Sequence, residues 1–259
     1  MRILPVLDLL HGQVVRGIAG RRDQYRPVVS RWTTSSDPLG VAGSIRDAFG
    51  FTEFYVADLD AIVHRAPSVA IVEGLLGEGF RLRIDAGIRN ADDAVCFSAL
   101  GADGPACMDQ PLAATGSPAQ TTLVLGLETL QHPDELPRIL AGAVADRILF
   151  SLDLKAGTPL GNQHWPTSAR AIADLAVAAG IRRLLILDLA KVGIGDGLGT
   201  DDLCRELRHA YPKIELLAGG GVRGLDDLLH LETLGLDAVL VASALHDGRL
   251  LPRDLSRFE

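Results

Sequence analysis

Lysine is nearly absent from this chain: Lys155, Lys191 and Lys213 are the only three among 25 basic residues. Acidic residues number 33, and the formal net charge is −8 at pH 7. There is no basic stripe to hold a phosphodiester backbone or an anionic membrane surface, so neither nucleic acid nor a membrane is expected as a partner, and a small molecule is. Cysteine is scarce as well: Cys96, Cys107 and Cys204 are scattered, without a C-x-x-C pair. That pattern argues against a disulfide framework and a structural zinc site, and the three read as buried or incidental thiols of a reducing compartment. Apolar runs are short, none approaching the ~20 residues of a membrane span. The opening "MRILPVLDLL" has one basic residue and too brief an apolar stretch for a secretory signal. A cytoplasmic location is expected, and nothing in the sequence sets an oligomeric state.

What the chain does have is length and a repeated rhythm. With 259 residues, 47% of them hydrophobic, it can bury a large core. Short runs rich in Val, Ile and Leu alternate with longer stretches of helical period, the pattern of βα units around a parallel sheet covered on both faces. Eight strands are predicted, at 3–8, 53–58, 81–85, 122–126, 147–153, 183–188, 215–219 and 238–242. The first four elements then recur in order: "VLDLLHG" with "SLDLKAG", "YVADLDAI" with "LILDLAKV", "IDAGIRNADD" with "AGGGVRGLDD", and "LVLGLETL" with "VLVASALH". The spacing between the copies shortens before the fourth strand, which places a surface insertion at 103–120. Two similar half-barrels, about 1–130 and 145–259, predict an α/β fold of the (β/α)8 barrel type occupying residues 1–259 as a single domain, with its active site at the C-terminal ends of the strands.

Asp8 and Asp153 close the first strand of each half and should face one another across the barrel mouth, where a paired acid and base would act. The plainer alternative is that each caps its following loop. At these residues a resemblance enters. Asp8 in "PVLDLLHGQVVRG", the "ADLDAI" element, "AGIR" and "GGGVR", and Asp153 in "SLDLKAG" together resemble the histidine-biosynthesis isomerase of phosphoribosylformimino-aminoimidazole carboxamide ribotide. The sister cyclase of the pathway shares the half-barrel architecture. The resemblance implies an Amadori-type aldose–ketose rearrangement of an aminated ribose phosphate. Asp8 would be the base and Asp153 the acid, and no cofactor is implied.

The family substrate carries two phosphates, one held in each half by glycine turns and helix N-termini. The C-terminal half keeps this equipment in Gly219, Gly220, Gly221, Ala242 and Ser243, and a phosphate is expected there. The N-terminal half reads Asp85-Ala86-Gly87 and "GLET", so Asp85 and Glu128 should repel a dianion. They are candidates for an ammonium, a hydroxyl-rich sugar or, less readily, a metal, for which only Asp58 or Asp60 offers a third ligand; no metal is expected. Alternatively Asp85 pairs with Arg89 or Arg83 and does no chemistry.

Further candidates follow the other strands. Lys155 and Lys191 trail the strand-end aspartates Asp153 and Asp188, where a primary amine can serve as Schiff-base nucleophile, as phosphate contact, or merely be solvated. Asp188 joins them as a catalytic candidate. Gly193 belongs to a loop in which Ile194 replaces the family's threonine. Arg16, with His11 and Arg22 nearby, lies on the first long loop. Trp165, on the fifth, either stacks on a flat heterocycle or packs its own loop. Three readings result: the histidine-pathway isomerase; a divergent paralogue acting on a different, singly phosphorylated substrate; and a non-catalytic barrel that binds a phosphometabolite. The second reading resembles the divergent isomerase-like proteins of methanogens and methylotrophs, which look associated with one-carbon carrier cofactors, and the resemblance implies a role in such biosynthesis.

Overall fold

The computed structural model describes residues 1–98, 121–142, 147–195 and 197–258; the insertion expected at 103–120 lies outside them. Eight parallel strands form the barrel: β1 (Arg2–Leu10), β2 (Glu53–Asp58), β3 (Arg81–Asp85), β4 (Thr121–Gly126), β5 (Ile148–Lys155), β6 (Arg183–Asp188), β7 (Glu215–Gly219) and β8 (Ala238–Val241). Each pairs with the next, and β8 closes on β1 through Arg2↔Ala238 to Pro5↔Val241. Every predicted strand is present. Helices wrap the outside, among them Pro38–Phe49, Val69–Gly77, Ala169–Ala179, Asp201–Ala210 and Leu225–Thr233.

Period-two alternation sorts the side chains into an outer core beneath the helices and an inner core within the barrel. The inner core is apolar at mid-height, where Leu4, Tyr55, Val124, Leu149, Leu185, Leu217 and Leu240 meet. Below it, Arg83 is buried and binds Glu53 at 2.8 Å and Glu215 at 3.0 Å, and Arg183 binds the other oxygen of Glu215 at 3.0 Å. One or two steps up the same inward faces stand Asp8, Asp85, Gly126 and Asp153. The floor is thus plugged by paired charges, and the mouth is lined by carboxyls.

The two halves also repeat their turns. β1 runs on into an antiparallel hairpin with Gln13–Arg16, and β5 into one with Thr158–Pro159. Both hairpins turn on two residues of positive φ, His11 (52°) and Gly12 (76°) in one, Ala156 (51°) and Gly157 (78°) in the other. Paired positive-φ residues suit the right-handed twist of the flanking strands. The glycine closing each repeat of "LDLxxG" is therefore a turn residue. The cysteine expectation needs correction at one position: Cys96 is disulfide-bonded, and Cys204 is a buried free thiol.

Candidate active site

One cavity opens at the C-terminal end of the barrel, and Asp8, Asp85, Gly126, Glu128 and Asp153 line one side of it. Asp153 is 4% exposed. Its Oδ1 accepts the Ser151 hydroxyl at 2.6 Å, and its Oδ2 the Glu128 N–H at 3.1 Å. Burial nevertheless raises its pKa to about 8, with the charge of Asp85 adding to the effect. Asp8 is raised to about 7, again by burial, but the Arg22 guanidinium and the Gly17 N–H hold it back. Asp85 is pushed to about 6 by burial, against the pull of the Gly87 N–H it accepts at 3.1 Å. Tyr25 and Tyr55 stand beside these carboxyls, both raised first by burial and then by the neighbouring aspartates. Such a set can hold one proton ready to give and another place ready to receive one near neutral pH.

The opposite side is built differently. Gly220, Gly221, Ala242 and Ser243 line it together with Arg16 and Arg249. Both guanidiniums bind Asp247, Arg16 in a fork at 2.7 and 2.9 Å and Arg249 at 3.1 Å. Two cations share one carboxylate there, whereas across the mouth Arg22 stands beside two, Asp85 and Glu128. Gly193 lines the cavity too. With φ of 72°, its α-carbon abuts the first loop so closely that a Cβ would stand 1.8 Å from the Gly17 carbonyl oxygen.

Five sequence candidates lie outside this cavity. Asp188 is 2% exposed, and its carboxylate accepts the N–H groups of Ala156, Gly157 and Ala190 at 2.8–2.9 Å. It clamps two loops together, as Asp58 does in the other half by accepting from Ala61 and Ser68. Lys155 is exposed on the β5 hairpin, opposite Thr158. Lys191 lies against the outer loop, its Cε 3.1 Å from where a Cβ on Gly199 would be. Gly219 belongs to the strand wall beneath Gly220, against Leu187 and Leu240. Trp165 is buried, donates its Nε1–H to the Leu130 carbonyl at 3.1 Å and packs on Phe150. It secures its own loop, and the heterocycle-stacking expectation gives way to the packing one. The proposed pairing of Asp85 with Arg89 or Arg83 is absent as well, because Arg89 binds Asp93 and Arg83 the barrel floor.

Sequence reading placed Arg22 beside Arg16 on the first long loop and gave no role to Tyr25, Tyr55, His246 or Arg249; all five line the cavity. Tyr55 was reachable, since it shares the inward register of Ala57. Arg249 follows a four-residue helix, Ser243–His246, and carries no periodic signal. Among the described residues there is no group of three metal-binding side chains, and no helix is long and apolar enough to cross a membrane.

A family model described as histidine biosynthesis protein matches residues 2–251. The chain belongs to that family. Its relatives include a phosphoribosyl imidazole-4-carboxamide isomerase of Desulforudis audaxviator, 27% identical over 259 residues, covering 96% of this chain and 88% of its own. The isomerase of that name from Halobacterium salinarum is 30% identical over 261 residues, with 97% and 94% covered. An uncharacterized protein of Methanocaldococcus jannaschii is 28% identical over 253 residues, with 96% and 95% covered. The isomerase name carries two phosphoribosyl groups. Membership in the family thus fits the barrel, and the relatives that have named activities here are isomerases.

Proposed function

We propose that this protein is an aldose–ketose isomerase acting on a phosphorylated sugar, with Asp153 as general acid and Asp8 as general base. Supporting this reading is one observation above the rest: the two carboxyls line a common cavity, and burial brings them to about 8 and about 7. Near pH 7.5, a value between those two, the favoured state is Asp153 protonated and Asp8 ionised. On an aminated ribose, Asp153 gives its proton to the ring oxygen as the C1–O bond breaks and the C1=N bond forms. Asp8 then takes the C2 proton, and the enaminol left behind becomes the ketone at C2 as Asp8 returns that proton to C1 and the C2 hydroxyl proton restores Asp153. The neutral Tyr25 phenol, raised by burial and by the neighbouring Asp8 carboxylate, would help to orient the base.

The substrate we assign carries one phosphate, seated at Gly220, Gly221, Ala242 and Ser243 with Arg16 and Arg249 alongside. Backbone amides and guanidiniums suit a dianion. Lys155, Lys191 and Asp188 have no part in this scheme. Asp8→Asn and Asp153→Asn are each expected to lower turnover by at least 10²-fold while the protein stays folded; full turnover by either variant would remove the assignment. Expression in a histidine auxotroph separates the substrates. Growth would point to the two-phosphate substrate of the named relatives, and no growth with folded protein supports the singly phosphorylated one.

A further inference from the structure

Equivalent backbone stations surround the mouth in both halves, and one half fills its own. Residues 85–87 read Asp-Ala-Gly where 219–221 read Gly-Gly-Gly. Gly87 and Gly221 both have positive φ, 67° and 89°. Two residues beyond each, an arginine gives its backbone N–H and its Nε–H to the aspartate four positions on: Arg89 to Asp93, Arg223 to Asp227. The chain paths correspond at these residues and differ between them, where Gly220 has a φ of 101° and Ala86 is not in the left-handed region; the carboxylate at position 85 is the difference in charge. Its Oδ1 accepts the Gly87 N–H at 3.1 Å. Its Oδ2 lies 3.4 Å from where a Cβ on Gly126 would stand.

Gly126 is the counterpart of Ala242. Asp85 thus sits between two turns whose counterparts, Gly221 and Ala242, line the opposite side of the cavity. The next donor in this half is also engaged, since the Glu128 N–H is taken by Asp153. In the C-terminal half the position matching Asp85 is Gly219, and the Asp247 carboxylate is held by Arg16 and Arg249. A Cβ at Gly219 would meet Leu240 and Leu187 at 3.0–3.1 Å, so a side chain there is resisted by packing.

We infer that Asp85 is a specificity-determining residue: its carboxylate occupies the N-terminal half-site as a built-in anion and limits the enzyme to substrates presenting an uncharged or cationic group there. The inference rests on the reading of Gly220–Ser243 as a phosphate site. Removing the carboxylate should free the Gly87 N–H and leave Arg22, already held beside Glu128, as a nearby cation.

The test is titration of inorganic phosphate into the full chain by calorimetry, with anion positions read from soaked crystals. Wild type is expected to bind one phosphate, and Asp85→Gly two, the second at Gly87–Gly126 and at least tenfold tighter than any second site in wild type. If Asp85→Gly does not fold, Asp85→Ala removes the same carboxylate and suits the strand conformation. A folded variant that still binds one phosphate would overturn the inference, as would a second phosphate at Gly87–Gly126 in wild type bound within tenfold of the variant's. One phosphate in the variant at Gly87–Gly126, with none in wild type, would support the role of Asp85 and refute the C-terminal phosphate site. None in either protein would refute both.

Discussion

Arg22 Nη2 lies 2.6 Å from Glu128 Oε2, tying the loop after β1 to the loop after β4 across the cavity mouth. This pair fixes a cation on the Asp8 side of the acidic group. It separates the two proposed catalytic carboxyls: Arg22 lowers the pKa of Asp8, while Asp153 is raised further by Asp85 and Glu128. Burial raises both aspartates, and the opposite contributions of their charged neighbours are what divide an acid from a base.

A narrow bell-shaped dependence of kcat/KM on pH follows. Activity should rise as pH passes about 7 and Asp8 loses its proton, and fall past about 8 as Asp153 loses its own. Arg22→Gln removes the cation favouring ionised Asp8, so the ascending limb should move to higher pH and the rate at neutral pH should drop several-fold. Steady-state kinetics on wild type and variant check this, and identical limbs in the two would count against it.

Asp85 should make the fold pH-sensitive. Its pKa is about 6 in the folded chain against the ordinary 3.8 of an aspartate, so the native state holds the proton more tightly than the unfolded one. Its contribution is complete below about 4 and is lost as pH rises through about 6. Asp85→Asn keeps an oxygen for the Gly87 N–H and removes the ionisation. Denaturation in urea at about pH 5 and about pH 8 should show the variant gaining on wild type by roughly 1–2 kcal/mol at the higher pH.

Asp188→Ala should be a stability variant. Three backbone N–H groups lose their acceptor, at a cost of about 2–4 kcal/mol in urea denaturation. Phosphate affinity measured where the variant remains folded should stay within about threefold of wild type, a shift of under ~1 kcal/mol.

Trp165→Phe should behave in the same direction and more mildly. It removes the donor to the Leu130 carbonyl and costs about 1–2 kcal/mol in thermal or chemical unfolding. Phosphate affinity should not move. A large loss of affinity in the folded variant would return Trp165 to the binding site.

Much of this molecule was legible before any coordinates. Runs of Val, Ile and Leu marked all eight barrel strands, and the repeat of "LDLxxG" marked the halves, because strands buried on both faces leave a continuous apolar signal. Asp8, Asp85, Glu128 and Asp153 were identifiable as charges interrupting or ending such runs. Asp188 ended its run in the same way, yet its carboxylate turns to the loops of Ala156 and Ala190. A strand-end aspartate looks alike in sequence whether it points at a cavity or at its neighbours' amides.

By itself, then, the sequence determined the barrel, its twofold internal repeat and the acidic character of one half of the mouth, because periodicity and composition act locally along the chain. Only the tertiary structure decided which polar groups share the cavity. Arg22 reaches Glu128 from 106 residues away in sequence, Arg16 reaches Asp247 from 231, and Trp165 turns its indole inward to Leu130. Those choices depend on closing β8 against β1, a long-range event that sets burial and charge proximity together, and no local pattern encodes it.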